Sequence, residues 1–385
     1  MATRVVEMRS ARAALIAAED QARRSVRLTV ALLVPVALLV VVGLGGILSA
    51  SSVVGLEESG DGLVFFKRQL VWLGIGVVGM LAAAVTPLRW WRRIALPAFV
   101  ANLVVLAAVL FVGTKAYGST RWIIVGPVSI QPSEVAKLTT VLFLAALMAR
   151  HEDTIHRFGQ FLLPVGISVG LVGGLVMLQP DLGTTVLIAS GAFAVLAASA
   201  APFSFVLSGG ILAGGLALVA ARSSDYQWAR VTAFLDLGAD PLGNGYQAVQ
   251  SLVALGTGGL FGVGLGASRA RWFFLPNAHT DFVFSIIGEE TGLAGSLAVA
   301  GLFVALTIAG TVVALRAHDR FGRLLAIGIT TWLVAQALVN IGGVVGVLPI
   351  TGVPLPFVSY GGSALLVEMI AVGVLLSVVR ERPGR

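Results

Sequence analysis

The sequence predicts an all-α polytopic membrane protein with about ten transmembrane helices, both termini cytoplasmic and a long extracytoplasmic loop between helices 7 and 8. Three observations carry this reading. Of 385 residues, 57% are hydrophobic and only 12% charged, where a soluble domain carries about 25% charge. So little polar surface does not cover a water-soluble globule, and the solvent must be largely lipid. The apolar residues fall in runs of roughly 20, enough for a helix to cross ~30 Å of hydrocarbon with its backbone bonded internally. Finally, the basic residues segregate to alternate connections. This composition excludes a cytosolic globular enzyme and a disordered chain. With no cysteine, it also excludes a disulfide scaffold, a thiol nucleophile and cysteine-ligated metal.

Taken in order, residues 1–27 carry Arg4, Arg9, Arg12, Arg23, Arg24 and Arg27. They read as a cytoplasmic tail ahead of a retained first span, not as a signal peptide. The spans are expected at about 28–48, 68–86, 94–112, 133–149, 159–178, 184–200, 203–221, 282–315, 323–347 and 363–379. Residues 28–380 thus form one membrane domain, and 381–385 a short cytoplasmic tail. A straight helix over 282–315 would run ~51 Å against ~30 Å of hydrocarbon. Its first turns are therefore expected to sit in a pocket or project outward, with Gly288, Gly292 and Gly295 leaving room for a bend.

With the N-terminus inside, the cytoplasmic connections gather the leader arginines, Arg89, Arg92, Arg93, Arg150, Arg157, Arg316, Arg320, Arg323, Arg380, Arg382 and Arg385. The outer ones hold fewer: Lys67, Arg68, Lys115, Arg121, Arg222, Arg230, Arg269 and Arg271. The bias obeys the positive-inside rule. The net charge of +7 follows from it and suits a lipid bilayer with anionic inner-leaflet headgroups, with no nucleic acid partner implied. The outer connections 113–132, 222–281 and 348–362 are dense in Trp, Pro, Gly and charge, and loops of this kind carry function.

Ionisable groups inside spans are functional candidates, because hydrocarbon makes them expensive. These are Glu134, Lys137, Glu289, Glu290 and Glu368. Glu134 and Lys137 stand i, i+3 after Gln131-Pro132-Ser133, where Pro suits a first helical turn. They read either as a local ion pair or as a site in which Lys137, Arg121 and the helix N-terminus hold an anionic headgroup such as a pyrophosphate. A second cluster runs Leu275-Pro276-Asn277-Ala278-His279-Thr280-Asp281-Phe282 into Gly288-Glu289-Glu290. Asp281 falls where loop meets hydrocarbon, so it is either a helix N-cap or a carboxyl whose pKa desolvation raises toward that of a usable base. At 100° per residue Glu289 can share its cavity, while Glu290 faces another helix. His279 is a hydrogen-bonding spacer, a ligand or a proton shuttle.

The glycine run 256–266 lacks the βαβ context and the Lys-Ser/Thr of a nucleotide loop. It reads as close backbone packing or a bent, partly embedded segment, with a phosphate-binding amide nest as the alternative. Residues 352–363, with Pro354, Pro356 and the Gly361-Gly362 turn, form either a rigid re-entrant connector or a cavity wall presenting Ser359 and Tyr360.

At these residues the chain resembles the SEDS family (shape, elongation, division and sporulation) through essentially all ten spans. The resemblance is carried by Arg121-Trp122, Gln131-Pro-Ser-Glu134 with Lys137, Gln179-Pro-Asp-Leu-Gly-Thr184 and Asp240-Pro-Leu-Gly-Asn-Gly-Tyr-Gln247. It continues through His279-Thr-Asp281-Phe282, Gly288-Glu-Glu290 and Pro354-Leu-Pro-Phe-Val-Ser-Tyr-Gly-Gly-Ser363. Gly262-Val-Gly-Leu-Gly266 looks more like the FtsW branch than the RodA branch. The sequence departs from the family pattern at Asn277, at Asp236-Leu237 and at Arg271.

The resemblance implies a peptidoglycan glycosyltransferase of the bacterial cytoplasmic membrane that polymerises lipid II at the outer leaflet of the division septum. Asp281 matches the family's essential aspartate. The implied partners are lipid II, a class B penicillin-binding protein transpeptidase (FtsI-like) and other divisome proteins. The chemistry asks for a base on the acceptor sugar hydroxyl and for positive charge on the diphosphate leaving group. That charge is expected from Arg121, Lys137, a loop arginine such as Arg271, or a divalent cation such as Mg or Mn. No metal-binding residues are assigned. The wider substrate-binding set is Arg121, Glu134, Lys137, Arg271, His279, Glu289, Ser359 and Tyr360. Two other readings are a lipid II flippase and a catalytically silent division scaffold.

Overall fold

The computed structural model describes residues 2–116, 119–126, 128–151, 158–222, 225–236, 240, 243, 245–272 and 274–381. Arg157, Leu237, Pro241, Leu242, Asn244, Arg382 and Arg385 lie outside them. Helices correspond to all ten expected spans: α1 (Ala2–Ser59), α2 (Val64–Val85), α3 (Leu88–Val112), α4 (Pro132–Arg150), α5 (Phe158–Met177), α6 (Leu182–Ala198), α7 (Phe203–Arg222), α10 (Val283–Arg316), α11 (Arg320–Val344) and α12 (Gly362–Arg380). Seven of the described helices are long and apolar enough to cross a membrane, while α5, α6 and α7 carry shorter apolar stretches. The chain is an all-α multi-pass membrane protein.

Three connections hold more structure than their sequence suggests. The 113–132 connection is a three-stranded antiparallel sheet of β1 (Thr114–Ala116), β2 (Ser119–Val125) and β3 (Val128–Ile130), in the order β1-β2-β3. The 222–281 loop contains two helices, α8 (Asp225–Leu235) and α9 (Tyr246–Gly258). The leader belongs to α1, which runs from Ala2 through the first span.

Local chemistry sets the helix starts. Pro132 opens α4, where its missing N–H costs nothing. Asp181 caps α6 by accepting from the Thr184 amide at 3.1 Å, and Asp319 caps α11 by accepting from Gly322 at 2.8 Å. Helices α4, α11 and α12 form the inner layer, with Trp332 of α11 fully buried at its centre, whereas α2 and α3 turn many apolar side chains outward. Because lipid is as apolar as Leu, this packing rests on shape and on buried polar links more than on the hydrophobic effect.

The bend expected in the eighth span is a break. Gly292 has φ 69° and ψ −165°, a conformation closed to L side chains, so α10 is two helical pieces. The broken ladder is re-satisfied by the glycine run. The Val263 and Gly264 amides donate to the Glu289 and Glu290 carbonyls at 3.0 and 3.1 Å. In return, the Leu293 and Ala294 amides donate to Gly259 and Leu260 at 2.9 and 3.2 Å. A break at membrane depth survives only with such replacement partners. Of the two readings of 256–266, backbone packing is the observed one: these amides hold protein carbonyls.

Candidate active site

Asp281 does not begin the helix. Its amide donates to the Asn277 carbonyl at 3.1 Å, so it ends a turn, and α10 starts two residues later. Its own carbonyl accepts from Asn340 Nδ2 at 2.8 Å, which ties the turn to α11. The half-buried side chain lines a small pocket with Phe282 and Asn340 on one side and Ile350, Thr351, Gly352 and Val353 on the other. Burial pushes the carboxyl up to about 6, against the opposing pull of Arg230 first and Arg121 second. Such a carboxyl is half ionised near pH 6, mostly ionised at neutral pH, and suited to accept a proton.

Two arginines reach this rim from different elements. Arg230 on α8 donates through Nη1 to the carbonyl of Ile350, one of the pocket residues, at 3.4 Å. Arg121 on β2 stands 3.4 Å from Asp181 Oδ2. Asp181 also accepts from Thr184 Oγ1 at 2.9 Å and from Gln131 Nε2 at 3.0 Å. The β2 arginine is thereby held at the start of α6, with its side chain one quarter exposed.

The neighbouring motif residues divide into two groups. His279 packs its ring against Phe65 at 4.7 Å and Tyr360 at 5.7 Å, and its carbonyl accepts from the Tyr360 amide at 3.0 Å. Burial pushes the imidazole down to about 4, so it is neutral at physiological pH. Tyr360 is raised, mainly by burial, and Arg68 opposes the shift. His279 of this aromatic group lies two residues before Asp281 in sequence. Ser359, expected to face the cavity, instead turns inward: its Oγ accepts from the Leu355 amide at 2.9 Å, and it is buried. It holds the connector's turn.

Glu289 is also corrected. It does not share the Asp281 pocket. Its carboxylate accepts from Ser268 Oγ at 2.5 Å, Arg269 N at 3.1 Å, Ala270 N at 3.2 Å and Thr257 Oγ1 at 3.4 Å, fastening the 268–270 loop to α10. The 100° wheel failed because Asp281 lies outside the helix, so the angle between the two residues has no meaning. Glu290, as expected, meets another helix, accepting from Ser49 of α1. Arg271 follows the fastened loop and stacks 5.8 Å from the Trp272 ring.

Glu134 and Lys137 form the ion pair that was one of their two readings, with Nζ 2.7 Å from Oε2 and both side chains nearly inaccessible. Lys137 also donates to Gln336 Oε1 at 2.7 Å and lies 5.2 Å from the Trp332 ring centroid. Gln336 donates in turn to Glu368 at 2.9 Å, and Glu368 accepts from the Phe357 amide at 2.9 Å. This network holds the 354–357 connector from inside the bundle. It does not bring Lys137 to the Asp281 pocket. Among the described residues no three His, Asp or Glu side chains converge as a metal site. Asp181 is already held by Arg121, Thr184 and Gln131.

Arg230, Asn340, Asp181 and Gly352 are the site residues that sequence reasoning missed. Asp181 lay within a quoted motif, and Arg230 within the basic outer loop. Gly352 opened the 352–363 segment read as a connector or cavity wall, and only Asn340 gave no local signal.

A multi-pass helical membrane protein with a half-buried acid beside arginines on its connecting loops is the class that fold and site define. Residues 29–383 match the FtsW/RodA/SpoVE cell cycle protein family, and the chain belongs to that family. It is 38% identical over 349 residues to a probable peptidoglycan glycosyltransferase FtsW of Trichlorobacter lovleyi, covering 90% of this chain and 92% of that one. It is 41% identical over 350 residues to the stage V sporulation protein E of Bacillus subtilis, covering 89% and 94%. Among solved structures, it superposes on a chain of a peptidoglycan synthase complex that coordinates polymerization and crosslinking. That match has TM-score 0.75 and 31% identity, covering 92% of this chain and 98% of the other. The rod shape determining protein RodA of Thermus thermophilus matches with TM-score 0.70 and 29% identity, over the same shares.

Proposed function

We propose that the protein is a peptidoglycan glycosyltransferase that polymerises lipid II at the outer leaflet during cell division, with Asp281 as general base. The supporting observation is the half-buried Asp281 carboxyl, raised to about 6 in its pocket with Arg230 beside it across Gly352. Asp281 takes the proton of the acceptor sugar hydroxyl as its oxygen forms the new bond to the anomeric carbon of the lipid-linked donor. The bond from that carbon to the diphosphate breaks, and the polyprenyl diphosphate leaves with the electron pair. Attack opposite the leaving group inverts the carbon. The diphosphate is already a good leaving group, so charge stabilisation matters more than acid assistance. Arg230 and Arg121 supply it.

The FtsW-named relatives and the glycine run support division over elongation, and with it work at the septum beside a class B penicillin-binding protein transpeptidase. A lipid II flippase needs a polar path through the bundle. Glu134, Lys137 and Glu368 instead spend their polar groups on one another, on Gln336 and on the connector. The test is incubation of the purified chain, with and without the transpeptidase, with labelled lipid II, comparing wild type and Asp281→Asn. Glycan strands from wild type and none from folded Asp281→Asn are expected. Equal synthesis by the two would refute the base assignment.

A further inference from the structure

Gln336 and Asn340 lie one turn apart on α11, and each donates to the outer connector. Gln336 Nε2 reaches Pro354 O at 3.0 Å, and Asn340 Nδ2 reaches Val353 O at 2.8 Å. Their acceptor sides differ. Gln336 Oε1 takes two donors, Lys137 at 2.7 Å and Trp332 Nε1 at 3.0 Å, so this amide uses its full capacity. Asn340 spends Nδ2 on two carbonyls, those of Val353 and Asp281. These two acceptors fix which end of the amide is nitrogen. Its Oδ1 is buried and has no donor, on a residue only 6% exposed. Asn340 lines the same pocket as Asp281.

A buried amide oxygen without a partner is disfavoured, and such orphans call for an explanation where they occur. Among the described residues no donor faces it, and in the resting protein it is buried. The cost is carried by the resting protein and relieved by the first donor that enters the pocket. We infer that Asn340 is a specificity-determining residue whose Oδ1 accepts a hydrogen bond from an N–H or O–H of the acceptor sugar positioned over Asp281. The same side chain holds the Asp281 turn through its nitrogen. One amide therefore fixes the base and reads the sugar that the base deprotonates.

This inference rests on the function proposed above, and its test separates the two. Lipid II analogues are prepared that each lack one donor of the acceptor sugar. Some are deoxygenated singly at a hydroxyl other than the attacked one, and one carries an ester in place of the acetamide N–H. Each is assayed with the full chain and its transpeptidase for polymerisation, and with the chain alone for binding. In wild type, one analogue is expected to lose about tenfold in kcat/KM and in affinity, and its identity tells hydroxyl from amide. In Asn340→Ala the parent substrate is expected to lose a similar factor, and that analogue to lose nothing more. Absence of any selective loss in wild type overturns the assignment whether or not the variant folds. An equal analogue penalty in both forms overturns it as well. Selective binding without polymerisation sinks the enzymatic reading and leaves the Asn340 contact standing.

Discussion

Arg230 and Asp281 meet across Gly352: a methyl group on that α-carbon would lie 3.5 Å from Arg230 Nη1 and 3.5 Å from Asp281 Oδ2. The acid and its strongest opposing charge thus share one wall, although α8 and the 281 turn are far apart in sequence. Burial raises the carboxyl and Arg230 lowers it, with burial dominant. A base works only when ionised, so kcat/KM should rise with pH through an acid limb near 6. Arg230→Gln removes the larger opposing charge and should move that limb to higher pH. A pH–rate profile checks this, and an unmoved limb would separate Arg230 from the acid.

The same shift makes a stability prediction of definite sign. A carboxyl at about 6 in the folded state and near 3.8 unfolded favours folding below pH 3.8, and that contribution is lost as pH rises through 6. Replacing the acid by its amide removes the buried charge. Asp281→Asn should therefore melt no lower than wild type at pH 7.5, while polymerising nothing. A purely architectural acid would give the opposite: a lower Tm with activity retained at low temperature. Thermal unfolding in detergent at pH 7.5, beside the lipid II assay, decides between them.

Gly352 itself has φ +71°, in the left-handed region that costs an L residue roughly 1–2 kcal/mol. Gly352→Ala should lose about that much stability, and its methyl would enter the space between base and arginine. A fall in kcat/KM larger than the fall in Tm explains would mark this wall as part of the site. A variant with wild-type kinetics would make it a spacer.

Much of the architecture is legible because lipid leaves helices few alternatives: a helix lies over each of the ten expected apolar runs, and the excess length of the eighth pointed to a bend among Gly288, Gly292 and Gly295, which is a break at Gly292. The sheet over 114–130 escaped notice because its strands are short and its pairing is decided across turns. At the site, Asp281 and Arg121 announced themselves as charges beside hydrocarbon. Arg230 and Asn340 did not, since Arg230 meets Ile350 and Asn340 meets the 281 turn only after folding. Glu289 and Ser359 carried signals that pointed to the wrong place. Both are polar groups in conspicuous motifs, and both are consumed by backbone amides that no pattern of residue types reveals.

Lys137 offers a test of structural against substrate-binding roles. Its ammonium is buried between Glu134 and Gln336. Removing one member of a buried pair leaves an uncompensated charge and costs about 3–5 kcal/mol. Lys137→Met alone should therefore be poorly folded or inactive. The double variant Lys137→Met with Glu134→Gln removes both charges and should recover most of the stability and measurable polymerisation. If the double variant regains its Tm but binds lipid II no better than the single one, Lys137 holds headgroup after all.

The glycines that rebuild the α10 ladder should not be equivalent. Gly262 has φ +81°, and a Cβ there would collide with the Glu290 carbonyl, the group that the Gly264 amide must reach. Gly264 has φ +106° but open space around the same added atom. Gly262→Ala should thus pay both backbone strain and displacement of the loop from the break, whereas Gly264→Ala pays strain alone. The strain is roughly 1–2 kcal/mol in each, so the excess loss in Gly262→Ala measures the packing term. Hydrogen exchange locates it. The Leu293 and Ala294 amides, which depend on Gly259 and Leu260 as acceptors, should lose protection in Gly262→Ala and keep more of it in Gly264→Ala. Because Glu289 fastens the 268–270 loop from the adjoining turn, the amides of Arg269 and Ala270 should open with them. Equal protection in the two variants would show that α10 bends without help from the glycine run.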